Sequence, residues 1–138
     1  MNALRARLQR DREKGHVSLF LVAVIPTFLF LVALGVDGGG AVAAHTNAYN
    51  TAQAAARAGA NHLSPSEAIN TGAGHVGHTA PATAETYLAT AGYGGSATRT
   101  DRTITVHAES WYETKLLSLI GISALPISAT AAAELVSQ

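Results

Sequence analysis

The sequence contains no cysteine, which excludes disulfides and thiolate metal sites as sources of stability. Aromatic residues are scarce at 6%, with a single tryptophan. A chain of 138 residues is one folded unit on length, and a unit this small buries only about 60 to 70% of the surface its unfolded chain exposes. One modest core is therefore all it can form. Charge is also sparse, at 13% of residues with a formal net of zero, and this zero conceals a split. Arg5, Arg7, Arg10, Arg12 and Lys14 outweigh Asp11 and Glu13 before residue 16, whereas the chain from Asp37 onward is acidic on balance. A split of this kind on either side of an apolar segment is a topology signal.

From His16 to Val36 the sequence has no Asp, Glu, Lys or Arg. As a helix, with about 1.5 Å of rise per residue, this stretch spans roughly 30 Å, the thickness of a bilayer's hydrocarbon core. Backbone groups in lipid must be paired internally, which leaves helix as the expected state. Five basic residues precede the run and none occurs in the next twenty positions, so the N-terminus is expected in the cytoplasm and the rest outside the cell. A cleaved secretory signal is also basic and then apolar, but its apolar core is usually about 7 to 15 residues. The longer run here predicts a retained, single-pass anchor in the plasma membrane, with a kink at Pro26.

After Asp37 and Gly38 to Gly40, the latter read as a flexible joint, the long N-terminal helix is expected to continue into an alanine-rich, proline-free helix to Leu63, where Ser64 and Pro65 end it. Ala41, Ala44, Ala48, Ala52, Ala55 and Gly59 stand three or four apart, which places small residues along one face. Such a face admits close approach by another helix, and Ala48, Ala52, Ala55 and Gly59 are the expected packing interface, with self-association one use. Alanine-rich composition alone also produces stripes of this kind.

Gly15, VSLFLVAVIP and VALGVDGGGAVAAHTNAYNTAQAAARAGA resemble the N-terminal segment of the TadE and TadG proteins of tight-adherence (Flp) pilus systems. Gly15, Pro26, Asp37, Gln53 and Ala58-Gly59-Ala60 occupy the family's marked positions, and the stretch from Thr103 to Val136 is similar to the tail of actinobacterial members. The resemblance implies a membrane-anchored component of pilus assembly; no enzymatic activity or cofactor is expected, because the sequence offers no convergent acid, base or metal groups. It makes Gly15 a candidate for cleavage by a prepilin peptidase. Processed members carry a glutamate five residues after that glycine, where this chain has Phe20, so the likeness leans to TadG-type members that keep the whole anchor. The partners implied are the lipid bilayer and other pilus-assembly or membrane proteins, a second copy included, with no nucleic acid and no small-molecule substrate. A membrane-tethered binding module for a cell-envelope ligand is the alternative.

The remainder predicts an α+β domain over 64–138, following segments at 1–15, 16–36 and 37–63. Residues 66–78 read as loop, with one short strand around His75 and Val76. A helix is expected over Pro81 to Ala91, closed by Gly92, and strands near Ala97 to Arg99, Thr103 to Trp111 and Leu125 to Val136, with Gly94-Gly95 and Asp101 as turn residues. Ile104, Val106, Ala108 and Ser110 alternate with Thr103, Thr105, His107 and Glu109, as a half-buried strand requires. Leu116, Leu117, Leu119 and Ile120 form one or two helical turns stopped by Gly121, and Pro126 suits a strand start or an edge. A small antiparallel sheet of about three strands carrying one or two helices follows, its strand order unread.

The residues that invite chemistry are few. His75 and His78 stand three apart, but a zinc site needs a third and usually a fourth ligand, which leaves only distant His62 or an acid, and no metal is expected. Ser110, His107 and Glu109 cannot form a nucleophilic triad, because strand neighbours point to opposite faces. The glycine run lacks the Lys and Ser or Thr of a phosphate loop. Trp111 and Tyr112, followed by leucines, are either core or a partner patch.

Overall fold

The computed structural model describes residues 2–61, 79–100 and 102–134. The expected helix end at Leu63 to Pro65, the 66–78 loop with its short strand, the turn residue Asp101 and the end of the last strand lie outside these residues, as do His62, His75 and His78.

Helix α1 runs unbroken from Asn2 to Asn61, about 90 Å at helical rise. Its part from Val17 onward is long and apolar enough to cross a membrane. Side chains from Val17 to Val36 are exposed except for Ala33. Pro26 lies inside the helix. The Thr27 hydroxyl donates to the Ala23 carbonyl at 2.8 Å, adding a bond beside the position where proline has no N–H. The joint expected at Gly38 to Gly40 does not exist, since all three residues are helical. Each glycine costs a helix interior roughly 1 kcal/mol relative to alanine, but here the helix continues on both sides and the tertiary contacts described below hold it.

The C-terminal domain consists of α2 (Ala80–Thr90), β1 (Gly94–Thr100), β2 (Thr103–Glu113), a 3-10 helix (Leu117–Ile120) and β3 (Ala124–Glu134). The strands form an antiparallel meander in the order β1-β2-β3, which is the α+β arrangement expected. Gly94 and Gly95 are strand residues paired with Glu109 and Ala108, not a turn. Pro126 sits near the start of β3, an edge strand, where a missing donor costs no ladder bond. At the other edge the Ala97 amide of β1 donates to the Glu85 carboxylate of α2 at 3.0 Å.

One face of the sheet, together with α2, packs on α1. Ile104, Val106 and Ala108 of β2 join Ala52, Ala55, Ala56 and Ala60 of α1, Ala80, Ala84 and Leu88 of α2, and Ala131 of β3. Ala48 packs with Ile127 and Ala129 in a second, smaller group. Alanine dominates this core, so close approach of backbones substitutes for large apolar side chains. β2 runs antiparallel to α1, with Ile104 beside Gly59 and Tyr112 beside Gly40. The turn from β2 to β3 therefore lies at the end of the domain next to the apolar half of α1.

Candidate functional site

Among the described residues, the polar contact with the most partners lies at this end. Asp37 is the first charged residue after the apolar run, and it is completely buried. Its Oδ1 accepts the Lys115 amide at 2.7 Å, and its Oδ2 accepts the amides of Leu116 at 2.9 Å and Leu117 at 2.6 Å. These amides open the 3-10 helix, whose first N–H groups have no partner of their own. A carboxylate from another element thus satisfies them, with charge-assisted bonds. The Tyr112 hydroxyl donates to Oδ1 at 3.5 Å, at the long limit for such a bond.

Burial pushes the Asp37 carboxyl up in pKa, but the Leu117, Lys115 and Leu116 amides and the Tyr112 hydroxyl outweigh it, holding the group below its ordinary 3.8. For Tyr112 the effects run one way. Burial, then the negative charge of Asp37 and the hydrogen bond to it, raise the phenol above its ordinary 10.0.

Gly40 allows this arrangement. The Tyr112 phenol lies directly on its Cα, so that a Cβ there would overlap the ring hydroxyl and Cζ and stand 2.8 Å from Cε2. Gly38 and Gly39 have nothing within 4 Å of the same position. Higher up, a Cβ on Gly59 would stand 2.6 Å from Ile104 Cδ1 and 2.8 Å from the Ala80 carbonyl oxygen. The small residues of α1 thus form one stripe, from Ala33 and Asp37 through Gly40, Ala44, Ala48, Ala52 and Ala55 to Gly59.

The stripe packs within the chain. Ala48, Ala52 and Ala55 are fully buried, and the surface they and Gly59 contact is the chain's own sheet and α2. Close helix approach does occur, at Gly59 and Ala84, but within one chain. While the domain is docked these residues are covered from within the chain. The pair Trp111 and Tyr112 is also divided. Tyr112 turns inward to Asp37, whereas Trp111, on the opposite face, is 70% exposed. Of the leucines that follow, Leu117 is buried and Leu119 fully outward.

The remaining candidates separate as strand geometry dictates. His107 and Glu109 lie on the outer face, with Nε2 3.2 Å from the carboxylate and Nδ1 2.9 Å from Thr130 Oγ1. Ser110 points the other way, and no triad forms. Among the described residues no group of three or more His, Asp or Glu is placed to hold a metal ion. A shallow open groove between α1 and α2 is lined by Ala58, Thr83, Thr86 and Thr90, but these threonine hydroxyls donate to carbonyls of their own helix. Gly15 lies within α1.

Sequence reasoning marked Asp37 as a family position but not as a cap, and it missed Gly40. The alternation of β2, carried on to residue 112, was the available signal, since it places Tyr112 on the face of Ile104 and Val106.

Residues 15–62 match the Tad family model, described as Flp pilus-assembly TadE/G-like, the family that the motifs of this segment resemble. No curated protein and no solved structure matches the chain.

Proposed function

We propose that this chain is a non-enzymatic, single-pass membrane component of a Flp-type pilus or a related secretion assembly, with its basic segment in the cytoplasm and its C-terminal domain outside the cell. The observation that carries this reading is the extent of the family match. It begins at Gly15 and ends at residue 62, one residue beyond the end of α1, so the shared part is the anchor together with the stripe on which the domain is built. The five basic residues before the uncharged run support the orientation. A domain fixed rigidly to its anchor suits a protein that presents a surface at a defined height above the membrane. Gly15 is the one candidate processing site, and with Phe20 in place of glutamate an uncut chain is expected.

Deletion of the gene from its host tests the role directly. Loss of surface filaments by electron microscopy, restored by the full chain, is the expected result. Filaments of normal number and length in the deletion strain overturn it. The mature N-terminus, measured by mass in cells with and without a prepilin peptidase, decides the processing.

A further inference from the structure

The turn between β2 and β3, residues 114–123, carries an unusual combination of features. Leu119 is 83% exposed, Ile120 57% and Ile122 42%, a concentration of bare apolar side chains in a short connection that water does not favour. Most of its amides, by contrast, are paired within the chain. The Thr114 amide donates to the Ser123 carbonyl, Leu119 to Leu116, Gly121 to Ser118 and Ile122 to Leu117, while Lys115, Leu116 and Leu117 donate to Asp37. Thr114 adds a side-chain bond to the Ile122 carbonyl. Internal pairing of this kind is what irregular backbone needs before it can leave water.

Its position in the molecule identifies the apolar phase. Asp37 fixes the turn at the end of the uncharged run, and Ala33, about 6 Å further down the same face, is 9% exposed while Val32 and Leu34 beside it are exposed. The exposed apolar side chains of the turn are thus continuous with those of α1 from Val36 downward. Lys115 is the only charged residue between Thr114 and Ser123. Trp111, the chain's single tryptophan, stands one short stretch of strand above the turn, with its indole exposed. This is the order in which membrane-seated segments arrange themselves: aliphatic groups deepest, then Lys and Trp at the headgroups.

We propose that this turn is a lipid-contacting foot, Leu119, Ile120 and Ile122 entering the outer leaflet beside α1 and Trp111 lying at the headgroup level. The proposal rests on the reading of α1 as a membrane anchor. With Asp37 as its pivot, the foot gives the domain a second point of support and so fixes its tilt as well as its height.

The test uses the full chain in vesicles of phosphatidylcholine and phosphatidylglycerol. Because the natural sequence has no cysteine and one tryptophan, every probe is unique. Acyl chains brominated near the headgroup should quench Trp111 at least severalfold more strongly than the soluble quencher acrylamide. Nitroxide labels at Phe28→Cys, Leu119→Cys and Thr98→Cys should report lipid, lipid and water respectively, by relaxation with oxygen against a water-soluble nickel chelate. If Phe28→Cys reports water, the anchor reading fails and takes the foot with it. Lipid at Phe28→Cys with water at Leu119→Cys overturns the foot alone. A Leu119→Cys label shielded from both reagents and broadened by a neighbouring label also overturns it, since a second copy would then cover the turn.

Discussion

The amide of Leu117 donates to Asp37 Oδ2 at 2.6 Å across a separation of eighty positions, joining the first polar residue beyond the apolar run to the connection between β2 and β3. Two further amides share the same carboxylate, so a single side chain organises the base of the domain. Its removal should therefore act locally before it acts globally. In Asp37→Asn the uncharged amide accepts through one oxygen only, and its N–H₂ group faces donors. Hydrogen exchange at Lys115, Leu116 and Leu117 should accelerate on the order of tenfold or more, while amides of Ile104 and Val106 stay protected. Unchanged exchange at all three would remove Asp37 from this role.

The same contact predicts an acid limb. Because the folded-state pKa of Asp37 lies below its ordinary 3.8, the folded state holds its proton less tightly than the unfolded chain. The stabilisation is complete above about pH 4 and is lost as pH falls through the depressed value. Thermal midpoints measured between pH 7 and pH 2 should fall in the native chain, and the part of that fall due to this group should be missing in Asp37→Asn. At the other extreme the sign reverses. Tyr112 is raised above 10.0, so its contribution is present below pH 10 and is lost as pH rises through the raised value. Tyr112→Phe should flatten that alkaline limb, with a phenolate absorbance titration checking the assignment.

Much of the architecture could be read from residue pattern because the signals were local. The uncharged run, the Ile104-Val106-Ala108 alternation and the stop at Gly121, whose φ is 92°, each lie within a few residues. What could not be read depended on distant partners. Glycine's propensity argued for a joint at residues 38–40, and only the Tyr112 ring, more than seventy positions away, shows why one of those glycines belongs in a helix. The stripe from Ala48 to Gly59 predicted close packing but not its partner, since spacing is the same whether the surface opposite belongs to another chain or to this one. Strand order was hidden because β1 and β3 are rich in Ala, Thr and Ser, and their hydropathy marks neither as central.

Gly39 and Gly40 provide an internally controlled pair. At Gly39 an added methyl meets nothing within 4 Å, and Gly39→Ala should stabilise the chain by about 0.5 to 1 kcal/mol through helix propensity and backbone entropy. At Gly40 the same methyl meets the Tyr112 ring, and Gly40→Ala should destabilise by about 1 to 3 kcal/mol, the usual range for overpacking. Chemical denaturation of both variants checks the contrast. Equal effects would mean that Tyr112 does not rest on α1 as described.

The stripe supplies the last test, because its two possible partners give different outcomes. Ala52 is fully buried against the chain's own core, and Gly59 has the Ala80 carbonyl and Ile104 side chain at the place where a Cβ would go. Ala52→Leu and Gly59→Leu should each push the domain off α1, at a cost of about 1 to 3 kcal/mol or more. The expected readouts are a lowered thermal midpoint and faster proteolysis of the β strands, in detergent at high dilution, where no second copy is present. Leucine has nearly the helix propensity of alanine and exceeds that of glycine, so the loss cannot be assigned to melting of α1 itself. Asn50 and Arg57 are exposed on the same helix, and leucine there should leave the midpoint within about 0.5 kcal/mol equivalent. Were all four substitutions tolerated by the dilute monomer, while Ala52→Leu and Gly59→Leu alone abolished crosslinking between copies, the stripe would serve assembly between chains after all.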